Sequence, residues 1–297
     1  MSKFGQVLTA MVTPFDKNMA VDYDKAAELA AYLVDHGNDG LVVAGSTGEA
    51  ATLTDQERLK LFEVVLAAVG DRAYVVGGTG TNDTATSIHL TREAARIGLH
   101  GAMLVAPYYN KPSQEGLFRH FAAAAAAAPD LPLIVYNVPG RTSVNLLPET
   151  VLRLAAIKNI VAVKEASGNL EQMSEIIRIA PEGFDLYSGD DALTLPALAV
   201  GGCGVISVAG HIVGREIKAM IAAFFAGDLA RARELHLKLI PVFRAMFIAT
   251  NPTPVKAAVN MLGLAAGDVR LPLVAPGAAD LDKIRAEMRK LDLPVNT

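Results

Sequence analysis

Residues 39–70, DGLVVAGSTGEAATLTDQERLKLFEVVLAAVG, contain the unit on which the fold turns. A short apolar run, DGLVVAG (39–45), gives way to a polar, glycine-containing loop. From Asp55 an amphipathic pattern follows, ending at Gly70 after its last periodic residue. Strand, loop and helix in that order make one βα unit.

The same alternation recurs on both sides. Further strands are expected at QVLTAMVTPF (6–15), AYVVGGTG (73–80), GAMLVAPYY (101–109), LPLIVYNVP (131–139), IVAVKEAS (160–167), FDLYSGDD (184–191) and GVISVAG (204–210). Helical patterns such as YDKAAELAAYLVDHG lie between them, and the alanine run at 122–128 reads as part of a helix because alanine is the strongest helix former. Strands apolar on both faces, each followed by a helix, predict a parallel sheet covered by helices. No unit opens with G-x-G-x-x-G, which favours a closed (β/α)₈ TIM barrel over residues 1–226 rather than an open doubly wound sheet. Beyond it the strand pattern stops, and helical stretches at 228–248, 253–263 and 280–291 predict an all-helical C-terminal extension, 227–297. Thr253 and Pro254 are expected as N-cap and first helical residue of the middle one.

Composition narrows the function. The chain has 297 residues, 52% hydrophobic, which suits a barrel-sized domain. Its net charge is −4 and its 27 Lys and Arg are scattered, so no nucleic-acid partner is expected. A single cysteine, Cys203, excludes an intramolecular disulfide framework and reads as a buried, inert thiol in a reducing compartment. The first residues, MSKFGQVLTAMVTPFD, lack secretory-signal features. The apolar stretch at 195–214 is broken by Pro196, glycines and His211 into a short helix, a turn and a strand. No membrane partner and a cytoplasmic location are therefore expected. The six histidines show neither H-x-x-x-H nor H-E-x-x-H spacing, so no metal or other cofactor is expected.

In a barrel the reacting groups stand at the carboxyl ends of the strands, and the unusual residues fall there. Lys164, in NIVAVKEASGN (159–169), follows four apolar residues. It either snorkels to water or serves as an amine nucleophile. An unperturbed lysine has a pKa of about 10.4, and an apolar setting can lower it to about 7 to 8, where the neutral amine is available. Ser46 and Thr47 in G-S-T-G-E offer hydroxyls and backbone N–H groups to a carboxylate, or simply cap a loop. The loop lacks the G-K-[ST] ending of a nucleotide site. Tyr136, at a strand end, either bonds a neighbour or relays protons near the amine. Arg141 either makes a surface ion pair or grips a carboxylate through two parallel bonds.

G-S-T-G-E (45–49), Y-N-V-P-G-R-T (136–142), K-E-A-S (164–167), S-G-D-D (188–191) and N-P-T-P-V-K (251–256), in this order, resemble the pyruvate-dependent Schiff-base aldolases of the N-acetylneuraminate lyase superfamily, and within it the dihydrodipicolinate synthase family. The resemblance implies a lyase in which Lys164 forms an imine with pyruvate, whose carboxylate Ser46 and Thr47 hold. It implies a proton relay of Tyr136, Thr47 and Tyr109, the last reaching in from a neighbouring subunit of a homotetramer built from tight dimers. Arg141 then binds the carboxylate of L-aspartate 4-semialdehyde, and the carbonyls of Gly189 and Ile206 line the site. The product feeds diaminopimelate and lysine synthesis. Cleavage of 2-keto-3-deoxy sugar acids or N-acetylneuraminate is the alternative within the superfamily, and K-E-A-S and P-G-R-T favour the synthase. A barrel that has lost catalysis and only binds small acids is the rival from another class; retention of the hydroxyl, phenol, guanidinium and amine groups speaks against it. Where lysine-inhibited members of the family carry a serine, histidines and a glutamate, this chain has Ala50, Asp55, Arg58 and Thr86, while Asn82 and Tyr108 remain. Weak or absent feedback inhibition by lysine is expected.

Overall fold

The computed structural model describes residues 2–295. Eight parallel strands close on each other in chain order. They are β1 (Val7–Ala10), β2 (Gly40–Val43), β3 (Tyr74–Gly78), β4 (Gly101–Val105), β5 (Leu133–Asn137), β6 (Ile160–Glu165), β7 (Asp185–Ser188) and β8 (Gly204–Ser207). The ring closes through β8 and β1, where Leu8 pairs with Ile206. This is the expected TIM barrel.

Alternation along each strand builds two layers of core. Leu8, Val42, Val76, Ile134, Ala162, Tyr187 and Ile206 point into the barrel. Their neighbours Val7, Leu41, Val75, Val135 and Val163 pack outward against the helices. Burial on both faces is why the strands read as unbroken apolar runs. The helices are α1 (Tyr23–Asp35), α2 (Asp55–Val69), α3 (Thr84–Ile97), α4 (Gln114–Ala127), α5 (Pro139–Thr142), α6 (Pro148–Ala155), α7 (Leu170–Ile179), α8 (Thr194–Ala199), α9 (Gly210–Phe225), α10 (Leu229–Ala245), α11 (Thr253–Met261) and α12 (Ala278–Arg289). Side-chain caps define many starts. Asp22, Asp83, Ser113 and Asn169 each accept an N–H of the first turn, and Thr54 forms a capping box with Glu57.

The structure differs from the sequence reading at several ends. Of the stretch 6–15 only Val7–Ala10 forms a barrel strand, because beyond it the Val12 N–H turns to His211 Nε2 and the Phe15 N–H to the Ala266 carbonyl, with Phe15 making an isolated antiparallel bridge to Val21. Likewise β4 ends at Val105, four residues before Tyr109. α11 begins one residue early: Pro252 is its N-cap and Thr253 its first helical residue, because the Pro252 carbonyl already accepts the Lys256 N–H at 2.9 Å. The 195–214 stretch divides into α8, a turn, β8 and the start of α9, and no helix among the described residues is long and apolar enough to cross a membrane.

One buried group makes the fold acid-sensitive. His211 is fully buried, its Nδ1–H donating to the Val208 carbonyl at 2.8 Å and its Nε2 accepting the Val12 N–H at 3.0 Å. Burial drives its pKa from 6.5 down to about 4. The unfolded chain therefore binds the proton first, and stability falls as pH drops from about 6.5 toward 4, by about 3 kcal/mol in total. Denaturant titrations at pH 7 and pH 4.5 are expected to show most of this loss in the native chain and less in His211→Gln.

Candidate active site

The site is built on the β5–β6 pair. Tyr136 lies opposite Lys164, and Asn137 opposite Glu165. Strand alternation turns the first pair into the barrel and the second toward the helices. A register shift near Leu133 and Ile134 precedes them, and a slip of one residue would turn Lys164 outward. The outward pair opposes such a slip. Glu165, fully buried, accepts bonds from Asn137 Nδ2 at 3.2 and 3.0 Å, from Gln172 Nε2 at 3.0 Å and from the Ser167 N–H at 2.7 Å.

Inside the barrel, Lys164 is 4% exposed and its Nζ lies 4.4 Å from the centre of the Tyr136 ring. Burial lowers the lysine pKa to about 7, against the opposing charge of Asp191 and with the help of Arg141. The same burial pushes the Tyr136 phenol up to about 12. At neutral pH a protonated phenol thus stands beside an amine that is about half neutral, a proton donor beside a nucleophile. The end of β7 touches the lysine stem through Gly189, where a Cβ would lie 3.1 Å from Lys164 Cε and 2.5 Å from Ala166 Cβ. Only glycine allows that approach. Asp191, just beyond, is buried and holds the loop after β8, accepting from the Ser207 hydroxyl, the Val208 N–H at 3.1 Å and the Ala209 N–H at 2.9 Å.

Above the strand ends is a cavity of about 340 Å³ lined by Ser46, Tyr108, Tyr136, Arg141 and Asn251, among others. Thr47, buried, accepts a hydrogen bond from Asn251 Nδ2 at 2.9 Å. Arg141 Nη2 donates to the Asn251 carbonyl at 2.8 Å. The loop carrying Ser46 and Thr47 ends at Glu49, which adopts a left-handed φ of 57°. Its carboxylate is held from the C-terminal region by Lys256 Nζ, on α11, at 2.8 Å and by the N–H of Arg270, in the segment between α11 and α12, at 2.8 Å. Both side chains of the Lys256–Glu49 pair are buried.

Lys164, Tyr136, Ser46, Thr47, Arg141, Gly189 and Ile206 all lie at or near the carboxyl ends of the strands, and of these Ser46, Tyr136 and Arg141 line the cavity. Tyr109 does not join them within one chain. It is 88% exposed with a φ of 71°, while its neighbour Tyr108 lines the cavity. Glu49 stood out in the sequence beside Ser46 and Thr47, but its pairing with Lys256 did not, and Asn251 and Asp191 were given no chemical role. Their one signal was their place in the motifs G-S-T-G-E, S-G-D-D and N-P-T-P-V-K that carry the family resemblance.

A closed parallel barrel, with its amine, phenol and guanidinium gathered at the carboxyl ends of the strands, defines a TIM-barrel enzyme. More narrowly, the chain belongs to the dihydrodipicolinate synthetase family, whose model matches residues 3–290. It is 58% identical over 291 residues to the 4-hydroxy-tetrahydrodipicolinate synthase of Moorella thermoacetica, covering 98% of this chain and 99% of that one. The enzyme of the same name from Cyanothece is 53% identical, covering 99% and 100%. A crystal structure of the Cyanidioschyzon merolae enzyme with lysine bound superposes with a TM-score of 0.97 at 48% identity, covering 99% and 100%.

Proposed function

We propose that this chain is a 4-hydroxy-tetrahydrodipicolinate synthase, a lyase that condenses pyruvate with L-aspartate 4-semialdehyde on the route to diaminopimelate and lysine. The observation that carries the reading is the buried Lys164 amine, with a pKa near neutrality, beside the Tyr136 phenol. Full-length similarity to enzymes of that name supports the substrate pair.

In this reading Ser46 and Thr47 hold the pyruvate carboxylate while the Lys164 amine attacks its ketone carbon. The carbinolamine oxygen leaves as water, with protons supplied through Tyr136 and Thr47. Tyr109 of a neighbouring subunit completes the relay; its exposure suits a residue that acts across an interface. The enamine carbon then adds to the aldehyde of the second substrate, whose carboxylate Arg141 binds, with the Gly189 and Ile206 carbonyls alongside. Finally the substrate's own amine displaces Lys164 and closes the ring. A homotetramer of tight dimers and a cytoplasmic location belong to the same proposal.

The test is to incubate the protein with pyruvate, reduce with borohydride and map the adduct by mass spectrometry. A pyruvyl mass on Lys164 is expected, forming faster as pH rises through about 7 as the amine loses its proton. A label on any other residue, or none, overturns the reading.

Lysine sensitivity is a separate expectation. Arg58 is 5% exposed and donates to the Ala50 carbonyl at 2.9 Å, so a buried guanidinium stands where an amine-bearing ligand needs acceptors. Thr86 adds no charge. Activity is expected to survive millimolar lysine in a steady-state assay; half-inhibition at micromolar lysine would contradict it.

A further inference from the structure

Asn251 is 7% exposed, and its two ends are in different states. The amide nitrogen donates to Thr47 Oγ1 at 2.9 Å, and the backbone carbonyl accepts from Arg141 Nη2 at 2.8 Å. The side-chain oxygen, Oδ1, is buried and has no hydrogen-bond partner among the described residues. A buried acceptor left without a donor is costly, on the order of 1–3 kcal/mol, so an orphan lining a cavity calls for a partner that enters the cavity. The residue lines the same cavity as Ser46, Tyr136 and Arg141.

Its position beside Arg141 gives the orphan a chemical meaning. An α-amino acid presents a carboxylate and an ammonium on one carbon, so a site for it needs a cation and, next to it, an acceptor. Arg141 is the cation, and its bond to the Asn251 carbonyl fixes the two residues side by side. The two carboxylates near the mouth are already engaged: Glu49 is occupied by Lys256 and the Arg270 N–H, and Asp191 by the loop after β8. The hydroxyls of Ser46, Tyr108 and Tyr136 can donate as well as accept, whereas Asn251 Oδ1 can only accept. We infer that Asn251 Oδ1 accepts the amino group of the aldehyde substrate, so that Asn251 and Arg141 together select an α-amino acid over an acid that lacks the amine. The inference rests on the synthase reading and adds a residue from the C-terminal helical region to the substrate-binding set.

The same pair of contacts gives Asn251 a second consequence. With one lone pair of Thr47 Oγ1 taken by the amide N–H, the threonine hydroxyl is directed to donate elsewhere. Loss of Asn251 therefore disturbs turnover in general as well as amine recognition. Only a comparison of substrates separates the two effects.

Succinate semialdehyde, which is the proposed substrate without its amino group, supplies that comparison. Asn251→Ala and the native protein are each loaded with pyruvate. Borohydride trapping on Lys164 first shows that the site is formed in both. KM for L-aspartate 4-semialdehyde and the inhibition constant of succinate semialdehyde are then measured. The expected result is a KM raised roughly 10- to 100-fold in the variant, as for loss of a hydrogen bond to a charged group, with the inhibition constant of the desamino analogue changed less than about threefold. Equal weakening of both ligands, or of neither, overturns the inference. Failure to trap pyruvate in the native protein instead overturns the synthase reading on which it rests. If only the variant fails to trap, Asn251→Ser, which keeps a small polar side chain toward Thr47, is measured the same way and judged by the same two constants.

Discussion

Lys164→Met is expected to lose activity by at least about 1,000-fold, as when a covalent nucleophile is removed, and at the same time to be more stable than the native chain. Both effects come from one fact: the amine is buried and its pKa falls from 10.5 to about 7. Because the folded pKa lies below the unfolded one, the unfolded state binds the extra proton between those values, so stability rises with pH across that window. At pH 7 and below, the burial cost is nearly fully present, on the order of 4 kcal/mol. A methionine of similar length removes the charge and keeps the packing. Thermal or denaturant unfolding at pH 7 is expected to show the variant the more stable, the gap closing as pH approaches 10. A variant destabilised at pH 7 would mean that the amine is not held in a desolvated setting.

The second large effect lies in the C-terminal helices. Lys256→Met leaves the Glu49 carboxylate buried and without its cation, and is expected to cost about 3–5 kcal/mol of stability. Glu49 ends the loop that carries Ser46 and Thr47, so KM for pyruvate is expected to rise as well. Adding Glu49→Gln removes the stranded charge and is expected to recover at least half of the stability loss. If the double variant is as unstable as the sum of the two single ones, the pair contributes packing and not electrostatics.

The sequence made the barrel legible because each of its strands is apolar on both faces and sits in a regular alternation with helices. Strand ends were harder, for a physical reason visible at Met11–Phe15. Those residues are as buried as the strand before them, yet only the Met11 N–H still reaches the neighbouring strand, at the Val42 carbonyl. Apolar pattern reports burial, and pairing is a separate matter. In the site, Lys164 was conspicuous because an amine in an apolar strand demands an explanation. Asn251 was not, since an asparagine before a proline reads locally as a turn. Its partners Thr47 and Arg141 stand far from it in the chain, and only the fold brings the three together. Tyr109 illustrates the same limit from the other side: its place in the chain says nothing of the direction in which it points.

The clamp made by Asn251, Lys256 and Arg270 on the loop after β2 also has a bearing on biosynthesis. All three residues are translated after the eighth strand has been made. A nascent chain that has completed every barrel strand still lacks the contacts that hold Thr47, Arg141 and Glu49 in place. The loop after β2 and Arg141 are therefore fixed only with the last fifth of the polypeptide, and an unfinished chain on the ribosome carries a barrel whose mouth is not yet braced.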